Sequence, residues 1–113
     1  MCDEHKLKAI TDEVSKFSRR TYGKRLKDVI LYGSYARGDQ EDDSDIDIMI
    51  LVDMSPSEIR DSGRKLTKLS SDLGLAYDVV VSPTVKDYKT FEAWREALPY
   101  YRNIDREGIR INA

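Results

Sequence analysis

Two short clusters of residues could together bind a nucleotide and a divalent metal. The first is Gly33-Ser34, and the second, after ten intervening residues, is Asp45 and Asp47 at the start of an apolar run. A glycine turn lets the backbone approach a phosphate group closely. Two aligned carboxylates suit a hard cation such as Mg²⁺, which prefers oxygen ligands and keeps positions for substrate phosphates. The spacing therefore predicts a nucleotide-and-metal site built from both clusters.

Each cluster also has a plainer interpretation. Residues two apart in a strand point to the same face, so Asp45 and Asp47 would project together while Ile46 enters the core. The same pattern would arise if both carboxylates lay on the solvated face of an edge strand. Gly33-Ser34 alone would be an ordinary turn. It is the combination that favours a metal site, of the kind in which two ions stabilise the attacking and leaving oxygens of nucleotidyl transfer.

Two further residues are candidates for the same site. The planar guanidinium of Arg37 suits a β- or γ-phosphate, and an ion pair with Asp39 or Glu41 would account for it equally well. Asp78 interrupts the apolar run 75–82. Because an unpaired buried carboxylate is costly, Asp78 must face water, a partner charge or a metal. The alternative for Asp78 is an outward-facing position on an edge strand.

The pattern of apolar residues predicts alternating helices and strands in the order α-β-β-α-β-α. The predicted elements are an amphipathic helix over 3–21, strands over Asp28–Tyr32, Ser44–Val52 and Ala76–Ser82, a helix from a Ser55–Glu58 capping box to Gly74, and a C-terminal helical region interrupted by Pro99. This order favours an α/β (α+β) fold, with a small sheet flanked by helices. The order leaves the pairing of the strands open.

Composition limits the classes of function. The chain has 113 residues, of which 40% are hydrophobic and 35% charged, so we expect one small core and a highly charged surface. The formal net charge of -2 argues against a general nucleic-acid binder. No apolar stretch approaches the roughly 20 residues of a membrane helix, and the charges from Asp3 onward predict no secretory signal. Cys2 is the only cysteine, which predicts no internal disulfide and a reducing cytoplasm.

The segment from Gly33 to Asp47 resembles the signature of a known superfamily. The motif of the DNA-polymerase-β-like nucleotidyltransferases is similar to two segments of this chain, Gly33-Ser34-Tyr35-Ala36-Arg37-Gly38 and Ser44-Asp45-Ile46-Asp47. In its short length the chain resembles the minimal nucleotidyltransferase (MNT) group of that superfamily. The resemblance extends to Arg106-Glu107-Gly108 near the end. It implies one minimal nucleotidyltransferase domain over 1–113 with a mixed sheet.

The resemblance also implies roles for individual residues. Asp45, Asp47 and Asp78 would be catalytic and would bind Mg²⁺, as two ions. Asp78 would lie on a later strand and serve as the base for the attacking hydroxyl. Gly33, Ser34 and Arg37 would bind the nucleotide, with ATP as the substrate.

The resemblance further implies a partner. MNT proteins are typically paired with a HEPN-domain protein, often an RNase toxin, and some neutralise it by transferring AMP from ATP to a tyrosine hydroxyl. At this length we expect no second domain to hold another acceptor. The leading hypothesis is therefore a Mg²⁺-dependent nucleotidyltransferase that acts as an antitoxin. The alternatives are a non-catalytic module that silences its partner by contact, and transfer to a small molecule; homo-oligomerisation stays open.

Overall fold

The computed structural model describes residues 3–111, so Cys2 lies outside the described residues. The helices are α1 (Glu4–Tyr22), α2 (Ser34–Arg37), α3 (Pro56–Asp61), α4 (Gly63–Tyr77), α5 (Tyr88–Trp94) and α6 (Pro99–Glu107). The strands are β1 (Leu26–Tyr32), β2 (Ile46–Val52), β3 (Val81–Asp87) and β4 (Ile109–Arg110). A short 3₁₀ turn, Gly23–Arg25, connects α1 to β1.

The four strands form one mixed sheet in the order β3-β2-β1-β4. β1 is antiparallel to both β2 and β4, whereas β2 and β3 are parallel. Parallel neighbours need a crossover connection, and α3 and α4 supply it. The mixed sheet flanked by helices confirms the predicted fold class.

Strand β2 is buried on both faces, which explains its nearly continuous apolar sequence. Ile48 and the residues two positions away from it pack toward α1 and α4, where Leu73 is buried. Met49 faces the opposite side and packs with Phe91 of α5. Because side chains alternate along a strand, Asp47 lies on the same face as Met49. The candidate carboxylate therefore opens toward α5 and α6, away from α1 and α4.

The predicted capping box is confirmed. The Ser55 hydroxyl accepts from the Glu58 backbone N–H at 3.3 Å, and the Glu58 carboxylate accepts from the Ser55 backbone N–H at 3.2 Å. The helix that starts here is shorter than predicted, however, because it ends at Asp61 and α4 begins separately at Gly63. At the break, the Ser62 hydroxyl oxygen lies 2.9 Å from that of Tyr22.

The predicted strand over Ala76–Ser82 is wrong. Helix α4 continues to Tyr77, and the third strand is Val81–Asp87. A short apolar run fits the end of a buried helix as well as it fits a strand, so periodicity could not separate the two. Pro83, which directly follows the predicted strand, lies inside the observed one. β3 is an edge strand, where a missing backbone donor is tolerated.

The remaining differences are smaller. The predicted strand from Ser44 starts two residues later, at Ile46, so Asp45 precedes β2 instead of belonging to it. Pro99 does interrupt the C-terminal helical region, as the first residue of α6. The two-residue strand β4 was not predicted. Within residues 3–111, none of the helices has the length and apolar character needed to cross a membrane.

Candidate active site

Gly33 connects β1 to α2 in a conformation that favours glycine. Its φ is +76° and its ψ is -156°, a region that side-chain-bearing residues rarely adopt. A Cβ atom at this position would also lie 2.5 Å from Asp47 Oδ2. Gly33 is therefore needed both for the turn and for the close approach of the carboxylate. The backbone oxygen of Gly33 accepts from the N–H groups of Ala36 and Arg37, each at 3.1 Å, which closes the turn into α2.

Asp47 and Asp45 are brought into electrostatic contact at the beginning of β2. Asp47 is partly buried and pairs in register with Tyr32 of β1. Burial raises the pKa of the Asp47 carboxyl, the negative charge of Asp45 raises it further, and Arg37 partly offsets both effects. Asp45 is exposed. Two carboxylates that disfavour each other's charge are a natural place for a cation.

Arg37 forms the ion pair that was the alternative to phosphate binding. Its Nε donates to Asp39 Oδ2 at 3.1 Å, and its Nη1 lies 3.5 Å from Glu107 Oε2 of α6. Glu41, the other suggested partner, does not pair with it among the described residues. The contact with Glu107 connects the turn at Gly33 to the last helix. Arg37 remains half-exposed and close enough to affect Asp47.

Asp78 does not lie on a strand. It follows α4 in the left-handed region, with φ +55° and ψ +47°, where aspartate is tolerated better than most residues. It is exposed and lines a cavity of about 270 Å³ together with Asp42, Asp43 and Ser44, which lead directly to Asp45. The structure thus brings Asp78 beside the loop before β2, but not into one group with the two site carboxylates.

The available ligands fit a cation that is completed by its substrate. Within residues 3–111, no three His, Cys, Asp or Glu side chains are grouped to hold a metal. Asp45 and Asp47 offer oxygen ligands of the type that Mg²⁺ accepts. Mg²⁺ is commonly bound by one or two carboxylates together with substrate phosphates. The donor set therefore fits Mg²⁺ bound with a nucleotide better than a permanent structural ion.

Sequence reasoning missed the aromatic side of the site. The hydroxyl oxygens of Tyr32 and Tyr100 lie 3.2 Å apart, and their rings meet edge to face with centroids 6.2 Å apart. Burial raises the pKa of the Tyr32 hydroxyl, and the contact with Tyr100 and the charge of Asp47 add to the effect. Tyr32 directly precedes Gly33, which could have drawn attention to it. Nothing in the sequence indicates that Tyr100 lies nearby.

Comparison with known proteins identifies the family. The family model described as a nucleotidyltransferase domain matches residues 10–110, nearly the whole chain. This chain belongs to the nucleotidyltransferase domain family. The nucleotidyltransferase also has relatives in Methanocaldococcus jannaschii that are named as candidate protein adenylyltransferases. One is 36% identical over 101 residues, covering 89% of this chain and 92% of the relative; another is 39% identical over 77 residues, covering 65% and 76%.

Solved structures share the fold of this nucleotidyltransferase. A structure described as a candidate minimal nucleotidyltransferase superposes with a TM-score of 0.63 and 22% identity, covering 96% of each chain. A toxin–antitoxin crystal structure with AMP-PNP superposes with a TM-score of 0.53 and 22% identity, covering 88% of this chain and 70% of that one. At this level of identity the likeness shows the fold.

Proposed function

We propose that this nucleotidyltransferase transfers AMP from ATP to a tyrosine hydroxyl of a partner protein, a HEPN-type toxin, and so acts as its antitoxin. The observation that carries the proposal is the contact between the Gly33 turn and the Asp47 carboxylate, beside Asp45. The names of the adenylyltransferase relatives and of the toxin–antitoxin neighbour support the acceptor class and the partner. The reducing cytoplasm expected from the sequence is compatible with such a pair.

In the proposed reaction, the tyrosine oxygen forms a bond to the α-phosphorus of ATP. The bond from that phosphorus to the oxygen bridging to the β-phosphate breaks, and pyrophosphate leaves with the electron pair. The tyrosine proton passes to a carboxylate base. Mg²⁺, proposed as two ions, would supply positive charge for the oxygens that gain negative charge in this step.

The residues of the site have separate proposed roles. The Gly33 turn gives the triphosphate access to the backbone, and the Ser34 hydroxyl donates to a phosphate oxygen. Asp45 and Asp47 hold the cation. Arg37 binds the β- or γ-phosphate after exchanging its contact with Asp39, since a bidentate guanidinium–phosphate pair is stronger than an exposed ion pair.

Asp78 is proposed as the third metal ligand and as the base. The cavity that it shares with Asp42, Asp43 and Ser44 adjoins the loop that leads into Asp45, so Asp78 would reach the cation only if that loop or the turn after α4 moved. Its left-handed conformation lies at the junction of α4 and β3, so a small change of that turn would alter the direction of its side chain.

The test is a mass measurement on the partner. The neighbouring genes are searched for a HEPN-domain protein, which is then incubated with ATP, Mg²⁺ and the nucleotidyltransferase, and its intact mass is measured. We expect an added adenylyl group on a tyrosine with wild type and none with Asp47→Asn. Arg102→Ala, on α6 and outside the site, serves as the control and should modify the partner normally.

Two other outcomes would support the alternatives. If the partner is inhibited while its mass stays unchanged, the chain is a contact inhibitor; the exposed Trp94 and Leu98, with 47% and 42% of their surface accessible, offer an apolar surface for such binding. If ATP is consumed only when a small hydroxyl compound is added, the acceptor is a small molecule.

A further inference from the structure

A cavity of about 220 Å³ lies between the Gly33 turn and helix α6. Gly33 and Arg37 line it on the side of the proposed phosphate site, and Tyr100, Asn103 and Glu107 line it on the side of α6. Arg37 and Glu107 meet at its edge, 3.5 Å apart. A nucleotide whose phosphates lie at Gly33 can place its sugar and base in this cavity, which starts at the turn. The cavity is the space that adjoins the turn on the face of the sheet to which Asp47 points.

Tyr100 has the position and the rigidity of a stacking residue. Its ring contacts Tyr32 edge to face, and it contacts Tyr101 at a centroid distance of 5.3 Å with the planes inclined by 67°. Both contacts use neighbouring aromatic rings, while 48% of the Tyr100 surface stays accessible. An aromatic ring held in this way can stack on a nucleobase with little loss of side-chain freedom.

Asn103 supplies an exposed amide at the α6 side of the cavity. Its amide makes no hydrogen bond to another group within residues 3–111, and it lines the cavity one helical turn before Glu107. An amide presents one donor and one acceptor side by side, which matches the hydrogen-bonding edge of adenine. Guanine presents neighbouring donors on its Watson–Crick edge, which a carboxylate matches better.

We propose that this cavity holds the nucleoside of the bound nucleotide, with Tyr100 stacked on the base and Asn103 selecting adenine over guanine. Glu107, which already faces Arg37, accepts from a ribose hydroxyl. This inference rests on the proposed function, since it requires a triphosphate at the Gly33 turn. It also gives a physical basis for the use of ATP, which no base-reading motif in the sequence indicates.

Equilibrium binding of ATP and GTP in the presence of Mg²⁺, measured by calorimetry, tests the proposal. Wild type should prefer ATP. Asn103→Asp should shift the ratio of the two affinities toward GTP by about 10-fold. The added charge repels both triphosphates alike, so the ratio isolates the contribution of the base. Arg106→Ala, on the same helix but outside the cavity, should leave the ratio unchanged.

Variants at Tyr100 separate stacking from the hydroxyl contact. Tyr100→Ala should lower the affinity for both nucleotides by about 10-fold without changing the ratio of the two affinities, because stacking tolerates any base. Tyr100→Phe keeps the ring and should bind like wild type. Equal weakening by both variants would assign the effect to the contact between the Tyr32 and Tyr100 hydroxyls and would overturn the stacking role.

The outcomes also separate this inference from the proposed function. If wild type binds ATP in a Mg²⁺-dependent way while the Asn103 and Tyr100 variants match it in affinity and ratio, the cavity does not hold the nucleoside. The proposed adenylyl transfer would then still stand. If wild type binds neither nucleotide, both proposals fail.

Discussion

The Asp47 carboxylate lies against Gly33, where a single added methyl group would come within 2.5 Å of Oδ2. This contact joins the two parts of the motif in space and leaves no volume between the turn and the carboxylate. It also separates two glycines that look equivalent in the sequence. Gly38 has a φ of +81°, yet no atom lies within 4 Å of a Cβ built there.

Gly33→Ala and Gly38→Ala should therefore differ. Both substitutions place a side chain at a positive φ. At Gly38, which lies in the left-handed helical region, the cost is about 1 kcal/mol of stability. At Gly33, whose ψ of -156° lies in a region that is nearly confined to glycine, the cost is about 1–3 kcal/mol. Only Gly33→Ala displaces Asp47. A displacement of a catalytic group by about 1 Å can lower turnover on the order of 100-fold. Thermal unfolding and adenylyl transfer should be measured for both proteins. Similar turnover in the two variants would mean that the contact between Gly33 and Asp47 has no part in the reaction.

Asp47→Asn should weaken nucleotide binding by at least about 10-fold in the presence of Mg²⁺. Removal of Mg²⁺ with EDTA should lower the nucleotide affinity of the wild type to that of the variant. The amide keeps the size of the carboxylate but removes the charge that attracts the cation. Calorimetry with and without EDTA measures both effects. If ATP binds wild type equally well in EDTA, Asp47 is not a metal ligand.

The pKa of Asp47 should respond in opposite directions to two neighbouring substitutions. Asp45→Asn removes a negative charge and should lower it, whereas Arg37→Gln removes a positive charge and should raise it. Carboxyl ¹³C chemical shifts followed through an acid titration of the metal-free protein measure this pKa directly. Shifts of the same sign in both variants would contradict the arrangement of charges described for the site.

The raised pKa also fixes the sign of a stability effect. The folded protein holds the Asp47 proton more tightly than the unfolded chain, whose aspartates titrate near about 3.9. Stability is therefore lost as pH rises from that value through the folded pKa, and ionised Asp47 opposes folding at neutral pH. In metal-free buffer at pH 7, Asp47→Asn should unfold at a higher temperature than wild type. At pH 3 the unfolding temperatures of the two proteins should become similar.

Asp78→Asn tests the proposed base. Asparagine adopts the left-handed conformation as readily as aspartate, so the turn after α4 should be unaffected. If Asp78 accepts the tyrosine proton, the rate of partner modification should fall by about 10²–10⁴-fold while partner binding is retained. Asp72→Asn, at an exposed position on α4, is the control. A wild-type rate in Asp78→Asn would leave Asp78 as a helix-terminating residue only.

The sequence predicted the parts of the site that depend on local patterns. The alternation around Ile46 and Ile48 located β2, and the glycine before Ser34 located the turn, because both signals come from neighbouring residues. Asp78 was assigned to a strand because apolar residues surround it, but α4 continues to Tyr77 and Asp78 ends it.

Other contacts could not have been predicted from local sequence. The approach of Arg37 to Glu107 and of Tyr32 to Tyr100 depends on how α6 packs on the sheet. Such tertiary contacts between distant segments leave no periodic signal in the chain. For the same reason, the cavity between the turn and α6 becomes visible only in the folded structure.

The antiparallel pairing of β1 with β2 has a consequence for how the site assembles. Tyr32 and Asp47 are register partners at the end of a hairpin whose loop contains the Gly33 turn and α2. The parallel pairing of β2 with β3 must wait until the much longer crossover closes, and such distant pairings form slowly. We expect the hairpin to form early in folding and to carry the glycine and the carboxylate together from the start. The contact between Gly33 and Asp47 would then be among the first native contacts, and the elements around Asp78 and Tyr100 would be added later.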